Sequence, residues 1–188
     1  KVLVHCAHSP TTMEDVVRTL RPGDILTHIY HGNENICADN DYAALRLARE
    51  KGVVLDAGFA GNVHTDFAVF KRAIAAGQLP DTISTDITQY SAYMCGGRYG
   101  MTMCMNIAKH LGMGETDIFR AVTQTPARVL GKADAWGCLT EGGTADIAVF
   151  ADTDEGFSIT DQAGHHIESK SGYRCVLTVA DGQIVYKH

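Results

Sequence analysis

His5, His28, Asp56 and Asp86 each close a short apolar run, and the gaps between them are 23, 28 and 30 residues. Neutral imidazoles and carboxylates are good ligands for zinc and related divalent ions. Neighbouring parallel strands lie ~4.8 Å apart, so two histidines that close adjacent strands can share one ion. The chemistry this spacing suggests is metal-assisted. His5, His28 and Asp86 are the expected ligands, and Asp86 is also the expected general base for a water whose pKa an ion lowers toward ~7. Asp56 is expected to cap the helix after its strand or to orient a ligand. A lone histidine at a strand end is commonly a hydrogen-bonded structural residue, so the convergence of three residues is what favours a site here.

The remaining polar candidates are weaker. His64 lies in the loop from Gly58 to Asp66 and is a candidate for substrate contact. His8 and His31 sit just past two strand ends, where substrate contact and a solvated loop position are equally open. His110, His165, His166 and His188 read as surface residues. Arg98 is the only arginine between Ile87 and Gly100, a loop expected to overhang the site. Its guanidinium is a candidate to hold a substrate carboxylate bidentately.

The elements that must position these residues alternate. Strands are expected at Val2–Cys6, Ile25–Tyr30, Val53–Leu55 and Thr82–Thr85. Helices are expected at Thr12–Leu20, Asp41–Lys51, Asp66–Ala76 and Met101–Leu111. This alternation is the signature of βα units around a parallel sheet, where the carboxyl ends of the strands carry the chemistry. Two more helices are expected at Glu115–Val122 and Pro126–Leu130, the second with Thr125 as N-cap and Gly131 beyond its end. The pattern then changes to strands without helices, at Asp146–Phe150, Cys175–Val179 and Ile184–Lys187, with a hairpin turn at Asp181-Gly182. A (β/α)8 barrel needs about 250 residues, roughly 31 per unit, so four units ending near residue 130 fit half a TIM barrel. An open doubly wound sheet shares the periodicity, but no glycine-rich phosphate loop supports it. The expected fold is therefore α/β: half a barrel over residues 1–136, then part of a small β-sandwich over residues 137–188.

Composition narrows the partners. The 188 residues are 45% hydrophobic and 20% charged, ordinary for a globular protein, with a net charge of −6. With no basic run, nucleic acid and anionic membrane surfaces are poor partners, and a small-molecule substrate is the expected one. No apolar stretch is long enough to span a membrane and no signal sequence opens the chain, so a cytoplasmic location follows by default. The six scattered cysteines, Cys6, Cys37, Cys95, Cys104, Cys138 and Cys175, read as reduced and mainly buried, with Cys6 beside His5 the one to watch as a thiolate. The chain opens on Lys1 with a strand already in progress, and something is expected to precede it.

These residues resemble the amidohydrolase superfamily, and within it the dihydroorotase-like deacetylases. The matching segments are Lys1-Val-Leu-Val-His5, Leu20-Arg-Pro-Gly-Asp-Ile-Leu-Thr-His28, Gly52-Val-Val-Leu-Asp-Ala-Gly58 and Pro80-Asp-Thr-Ile-Ser-Thr-Asp86. They continue with Thr123-Gln-Thr-Pro-Ala-Arg-Val-Leu-Gly131 and the stretch from Gly137 to Phe150. The order is the family's, over nearly the whole chain. The resemblance implies that the first two strands here are the fifth and sixth of a barrel, ending in metal-binding histidines that match His5 and His28. It implies that Asp86 closes the eighth strand, binds metal and shuttles the proton of the water.

Two departures qualify the match. The family's HxH pair on the first strand and its carboxylated lysine, which bridges two metals, would both precede Lys1. Where a Gly-His-Gly turn is expected after the seventh strand, this chain has Gly58-Phe59-Ala60, and His64 is a candidate to substitute. The implied function is hydrolysis of an amide, cyclic amide or acyl ester by metal-activated hydroxide, with one or two divalent ions, zinc foremost, in the complete protein. The alternative is a non-catalytic, degenerate half-barrel that binds a metabolite or a single metal ion. Self-association into a homo-oligomer is open in either case, because an unclosed sheet exposes its edges.

Overall fold

The computed structural model describes residues 1–61, 63–94 and 98–188; Cys95 lies outside the described residues. Three strands, β1 (Leu3–His5), β2 (Ile25–Thr27) and β3 (Val54–Leu55), alternate with three helices, α1 (Met13–Thr19), α2 (Asp39–Lys51) and α3 (Phe67–Ala75). Four helices follow: α4 (Gln89–Met94), α5 (Met101–His110), α6 (Glu115–Val122) and α7 (Gln124–Val129). The chain ends in strands β4 (Ile147–Thr153), β5 (Phe157–Thr160), β6 (His166–Ser169), β7 (Gly172–Ala180) and β8 (Gln183–Lys187). Among the described residues no helix is long and apolar enough to cross a membrane.

β1, β2 and β3 form a parallel sheet in that order, with Leu3 opposite Ile25, His5 opposite Thr27 and Leu26 opposite Leu55. Leu26, Leu55 and Ile83 are almost wholly buried. They belong to one hydrophobic cluster with Met13 and Val17 of α1, Leu45 and Ala48 of α2, and Phe70 of α3. The crossover helices are fixed by their caps. Thr12 accepts from the Asp15 amide at the start of α1, and Asp66 accepts from the Ala68 and Val69 amides at the start of α3. Gly52 ends α2 in the left-handed region, at φ 70.

The fourth expected strand, Thr82–Thr85, is reduced to a single parallel bridge between Asp56 and Thr82. The neighbouring chain still follows it, since the amides of Ala57, Phe59 and Ala60 donate to the carbonyls of Thr82, Ser84 and Thr85. Among the described residues no strand pairs with its outer side. There the Ile83 amide donates to the Ala121 carbonyl in α6, so a helix covers this edge. The expected cap of α7 also differs. The helix starts at Gln124, Thr125 is buried inside it, and the Thr123 hydroxyl donates back to the Phe119 carbonyl instead of capping.

β4, β7 and β8 form an antiparallel sheet, with Asp181 and Gly182 at φ +48 and +74, as a tight hairpin turn requires. The hairpin of β5 and β6 was not expected, because four-residue strands carry too few alternations to register as a period. It is held by Ile159 opposite Ile167, both buried in the same hydrophobic cluster as the helices. Its turn is held by Asp161, whose carboxylate accepts from the amides of Ala163 and His165 within the turn and from the Phe67 amide at the start of α3.

Asp56 is the buried tie of the parallel block. Its carboxylate accepts hydrogen bonds from Thr27 Oγ1, Thr82 Oγ1 and Ser84 Oγ, each at 2.6 Å. It caps no helix; Asp66 does that for α3. Removing a carboxylate with two buried hydroxyl partners and one part-buried one leaves all three without it, at a cost of about 3 kcal/mol. Asp56→Ala should therefore lower the unfolding free energy by that amount, read as a lower urea midpoint at an unchanged urea dependence. A loss under about 1 kcal/mol would show that the three hydroxyls find other partners.

Candidate metal centre

His5 is the last residue of β1 and His28 follows β2 by one residue, so the two rings stand side by side at the carboxyl ends of paired strands. Their centroids are 4.4 Å apart. His28 Nδ1 lies 2.6 Å from the Gly58 carbonyl, which can only accept, so Nδ1 carries the proton. In the neutral ring that leaves the lone pair on Nε2. This atom lies 2.9 Å from His5 Nδ1 and 3.8 Å from Asp86 Oδ2. A histidine that donates one ring N–H to a backbone carbonyl and turns its other nitrogen toward further donor atoms is arranged as metal ligands are.

The backbone is bent to achieve this. His28 and Asp86 both adopt left-handed φ, +62 and +45, which non-glycine residues rarely do and which recurs at functional sites. Gly58, at φ +55, must be glycine for a second reason. A Cβ there would collide with Thr27 Oγ1 and His28 Nδ1, so only glycine lets its carbonyl meet the ring.

His64 joins the pair from the loop after β3. Its ring centroid is 4.8 Å from that of His5 and 4.5 Å from that of His28, and donor atoms of the three lie within 4.8 Å of one another. His64 Nδ1 is buried with no hydrogen-bond partner. Asp86 is 44% exposed at its side chain and borders the group through His28, 3.8 Å from its Nε2. Three imidazoles and a carboxylate are a donor set suited to zinc and similar divalent ions. The orphaned nitrogen of His64 and the clustering of the rings fit such an ion.

For His31, one of the two alternatives left open by the sequence falls away. It is fully buried, both ring nitrogens lack partners, and it is no solvated loop residue. Burial, reinforced by His28, His8, His64 and His5 nearby, pushes its pKa down to about 4. His64 is likewise pushed down to about 4, by burial first and then by His28 and His5. His28 is lowered mainly by burial, against the opposing effect of its Gly58 bond. Low-dielectric surroundings and mutual repulsion keep these rings neutral, the form that ligates metal. Cys6 is pushed the other way, since burial raises its thiol pKa. Cys37 and Cys104 are also buried, whereas Cys138 is exposed.

Arg98 is brought elsewhere. It is exposed and lines a groove with Phe157, Ser158, Glu168 and Lys170, none of which belongs to the histidine group. A second cluster, Asp66, Asp161 and His165, has its carboxylates committed to amide donors and to His165 Nδ1 at 3.0 Å. It locks the β5–β6 turn to α3. What the sequence did not disclose is the burial of His31 and the three hydroxyls around Asp56. The first is signalled only by the apolar Ile29 and Tyr30 before it, and the second by the lone hydroxyl residues Thr27, Thr82 and Ser84 near the strand ends.

A parallel sheet whose carboxyl ends gather imidazoles and a carboxylate defines an α/β protein with a site at the usual place for that fold. The Amidohydrolase family profile matches residues 1–185. The protein named deacetylase Atu3266 of Agrobacterium fabrum is 31% identical over 166 residues, which is 87% of this chain and 40% of that protein. A crystal structure described as an adenine deaminase is 28% identical with a TM-score of 0.86, over 99% of this chain and 50% of its own. One described as a dihydroorotase is 27% identical with a TM-score of 0.82, over 98% of this chain and 48% of its own. This chain belongs to the amidohydrolase family. It spans half or less of the length of each of these relatives.

The lowered histidines set a pH dependence for the metal-free protein. Unfolded histidines bind protons below about pH 6.5, whereas folded His31 and His64 refuse them until about pH 4. Unfolding therefore takes up protons between these values, and stability falls as the pH drops through that window. Urea midpoints measured from pH 7 to pH 4 should decline steadily, and the decline should be shallower in His31→Gln. A flat profile would show that these rings titrate normally.

Proposed function

We propose that the protein is a metal-dependent hydrolase of amide, cyclic amide or acyl-ester bonds. In this reading residues 1–136 supply strands five to eight of a closed (β/α)8 barrel, and residues 137–188 supply part of a β-sandwich. The observation that carries the proposal is the facing of His28 Nε2 toward His5 Nδ1 at 2.9 Å and Asp86 Oδ2 at 3.8 Å. The name deacetylase borne by one relative supports an acyl group as the part removed.

His5, His28 and Asp86 would hold the ion, and their nitrogen and oxygen donors favour zinc. When bound, such an ion supplies acidity to water and polarises a carbonyl. The rest falls to the chain. Gly58 fixes the tautomer of His28 through Nδ1, so that Nε2 always faces the site. The Asp86 carboxylate, far more exposed than His28, takes the proton of the attacking water and returns it to the leaving nitrogen or oxygen. The expected partner is a small-molecule substrate, and nothing in the position of Arg98 supports the carboxylate contact expected of it. The residues that would complete a second metal position do not lie in this chain.

The test is Asp86→Asn in the full-length protein, scored on whichever N-acyl amino acid, cyclic ureide or acyl ester the wild type turns over. General-base catalysis is worth about 10² to 10⁴-fold, and a charged ligand is lost as well, so kcat should fall by about 10³-fold or more while the fold survives. Activity within about tenfold of wild type would remove Asp86 from the chemistry.

A further inference from the structure

We infer that His64 is a third imidazole ligand of the ion held by His5 and His28, so that this chain alone carries a three-histidine centre. The inference rests on the reading above that His5 and His28 hold an ion, and it replaces the substrate contact expected of His64 from the sequence.

The first support is geometry. His64 is in ring contact with both histidines at once, at 4.8 and 4.5 Å between centroids, and one nitrogen of each ring falls within 4.8 Å of the others. The second is chemistry. His64 Nδ1 is buried and has no donor or acceptor to meet, a state that polar groups in folded proteins avoid unless a ligand or water supplies the partner.

The third support is the way the loop is built. After β3 the chain turns back through Ala60 and Gly61, both at positive φ, and the Val63 amide closes the turn on the Ala60 carbonyl. Gly61 packs so close to Ser91 that an added Cβ would lie 3.0 Å from the serine Cβ. The loop is tied on its far side as well. The Thr65 hydroxyl donates to the Phe59 carbonyl at 3.4 Å and the Asp66 amide donates to the Tyr30 carbonyl at 2.9 Å. From the β5–β6 turn, the Gln162 side chain donates to the Val63 carbonyl and accepts from the Gly32 amide. A loop held at both flanks delivers His64 to one place, which a substrate-gating loop would not need.

Three neutral imidazoles select zinc, cobalt, nickel or copper over magnesium or calcium, because the latter pair prefer oxygen donors. Loss of one direct ligand should weaken binding by at least the 10 to 100-fold typical of disturbing a supporting residue. Cobalt titration of the metal-free protein, followed by visible absorption, should show such a loss in His64→Ala and an altered spectrum at saturation. His64→Gln, which keeps the bulk of the side chain, should show the same loss. Thermal melts of the metal-free variants should match wild type, separating ligation from folding.

The decisive measurement is direct. In protein labelled with ¹⁵N-histidine and loaded with ¹¹³Cd, one-bond Cd–N coupling should appear at His5, His28 and His64, with His64 assigned by its disappearance in His64→Gln. Coupling at His5 and His28 but not at His64 would overturn the inference and leave the proposed function standing. Absence of coupling at all three would overturn both.

Discussion

A buried carboxylate sets the level of the strand ends. Asp56 draws hydroxyls from Thr27 on one side and from Thr82 and Ser84 on the other, so three successive βα units are fixed to one point. A charge taken out of water at 3% exposure is tolerated only when its partners are all in place, which makes the arrangement close to all-or-none. His28 is the next residue after Thr27, and Asp86 is two residues beyond Ser84. The same tie that joins the strands therefore brings the site residues to the same height, and the centre above inherits its geometry from the core beneath it.

Above that tie, the site balances burial against charge. Burial is the largest cause of the lowered values of His28, His31 and His64, and neighbouring imidazoles lower all three further. Each proton added to this group would raise the cost of the next. The result is that His28, His31 and His64 are held neutral near physiological pH, the form in which an imidazole can ligate a cation. The left-handed backbone at His28 and Asp86 is the conformational counterpart. Backbone geometry that the chain would not choose locally is held by the surrounding bonds.

The parallel block was legible because each βα unit repeats the same pattern. His5, His28 and Asp86 could be found from residue type and spacing alone, and the structure brings all three together. Features that depend on what lies across space were not legible. Asp56 looks like a helix cap until Thr27, Thr82 and Ser84 are seen to surround it. Thr82–Thr85 reads as a full strand, yet its outer edge is taken by the end of α6. The burial of His31 has no local signal beyond the apolar Ile29 and Tyr30 before it. Arg98 follows α4, a helix that occupies much of the expected Ile87–Gly100 loop, and the β5–β6 hairpin, which no period disclosed, forms the groove it lines.

That hairpin ties the C-terminal segment to the site. Asp161 holds the amide of Phe67 at the start of α3 and the turn's own amides with one carboxylate, while Gln162 spans the Val63 carbonyl and the Gly32 amide. Val63 precedes His64, and Gly32 follows His31. The turn therefore touches the backbone beside the two loop histidines, His31 and His64. A sheet-end histidine such as His28 needs only its own strand and the Gly58 carbonyl to be positioned. A loop histidine needs an outside clamp, because a loop with few packed side chains opens at little cost. The β5–β6 turn supplies that clamp, which gives the C-terminal segment a role in the site although none of its residues reaches the ring nitrogens of His5 and His28.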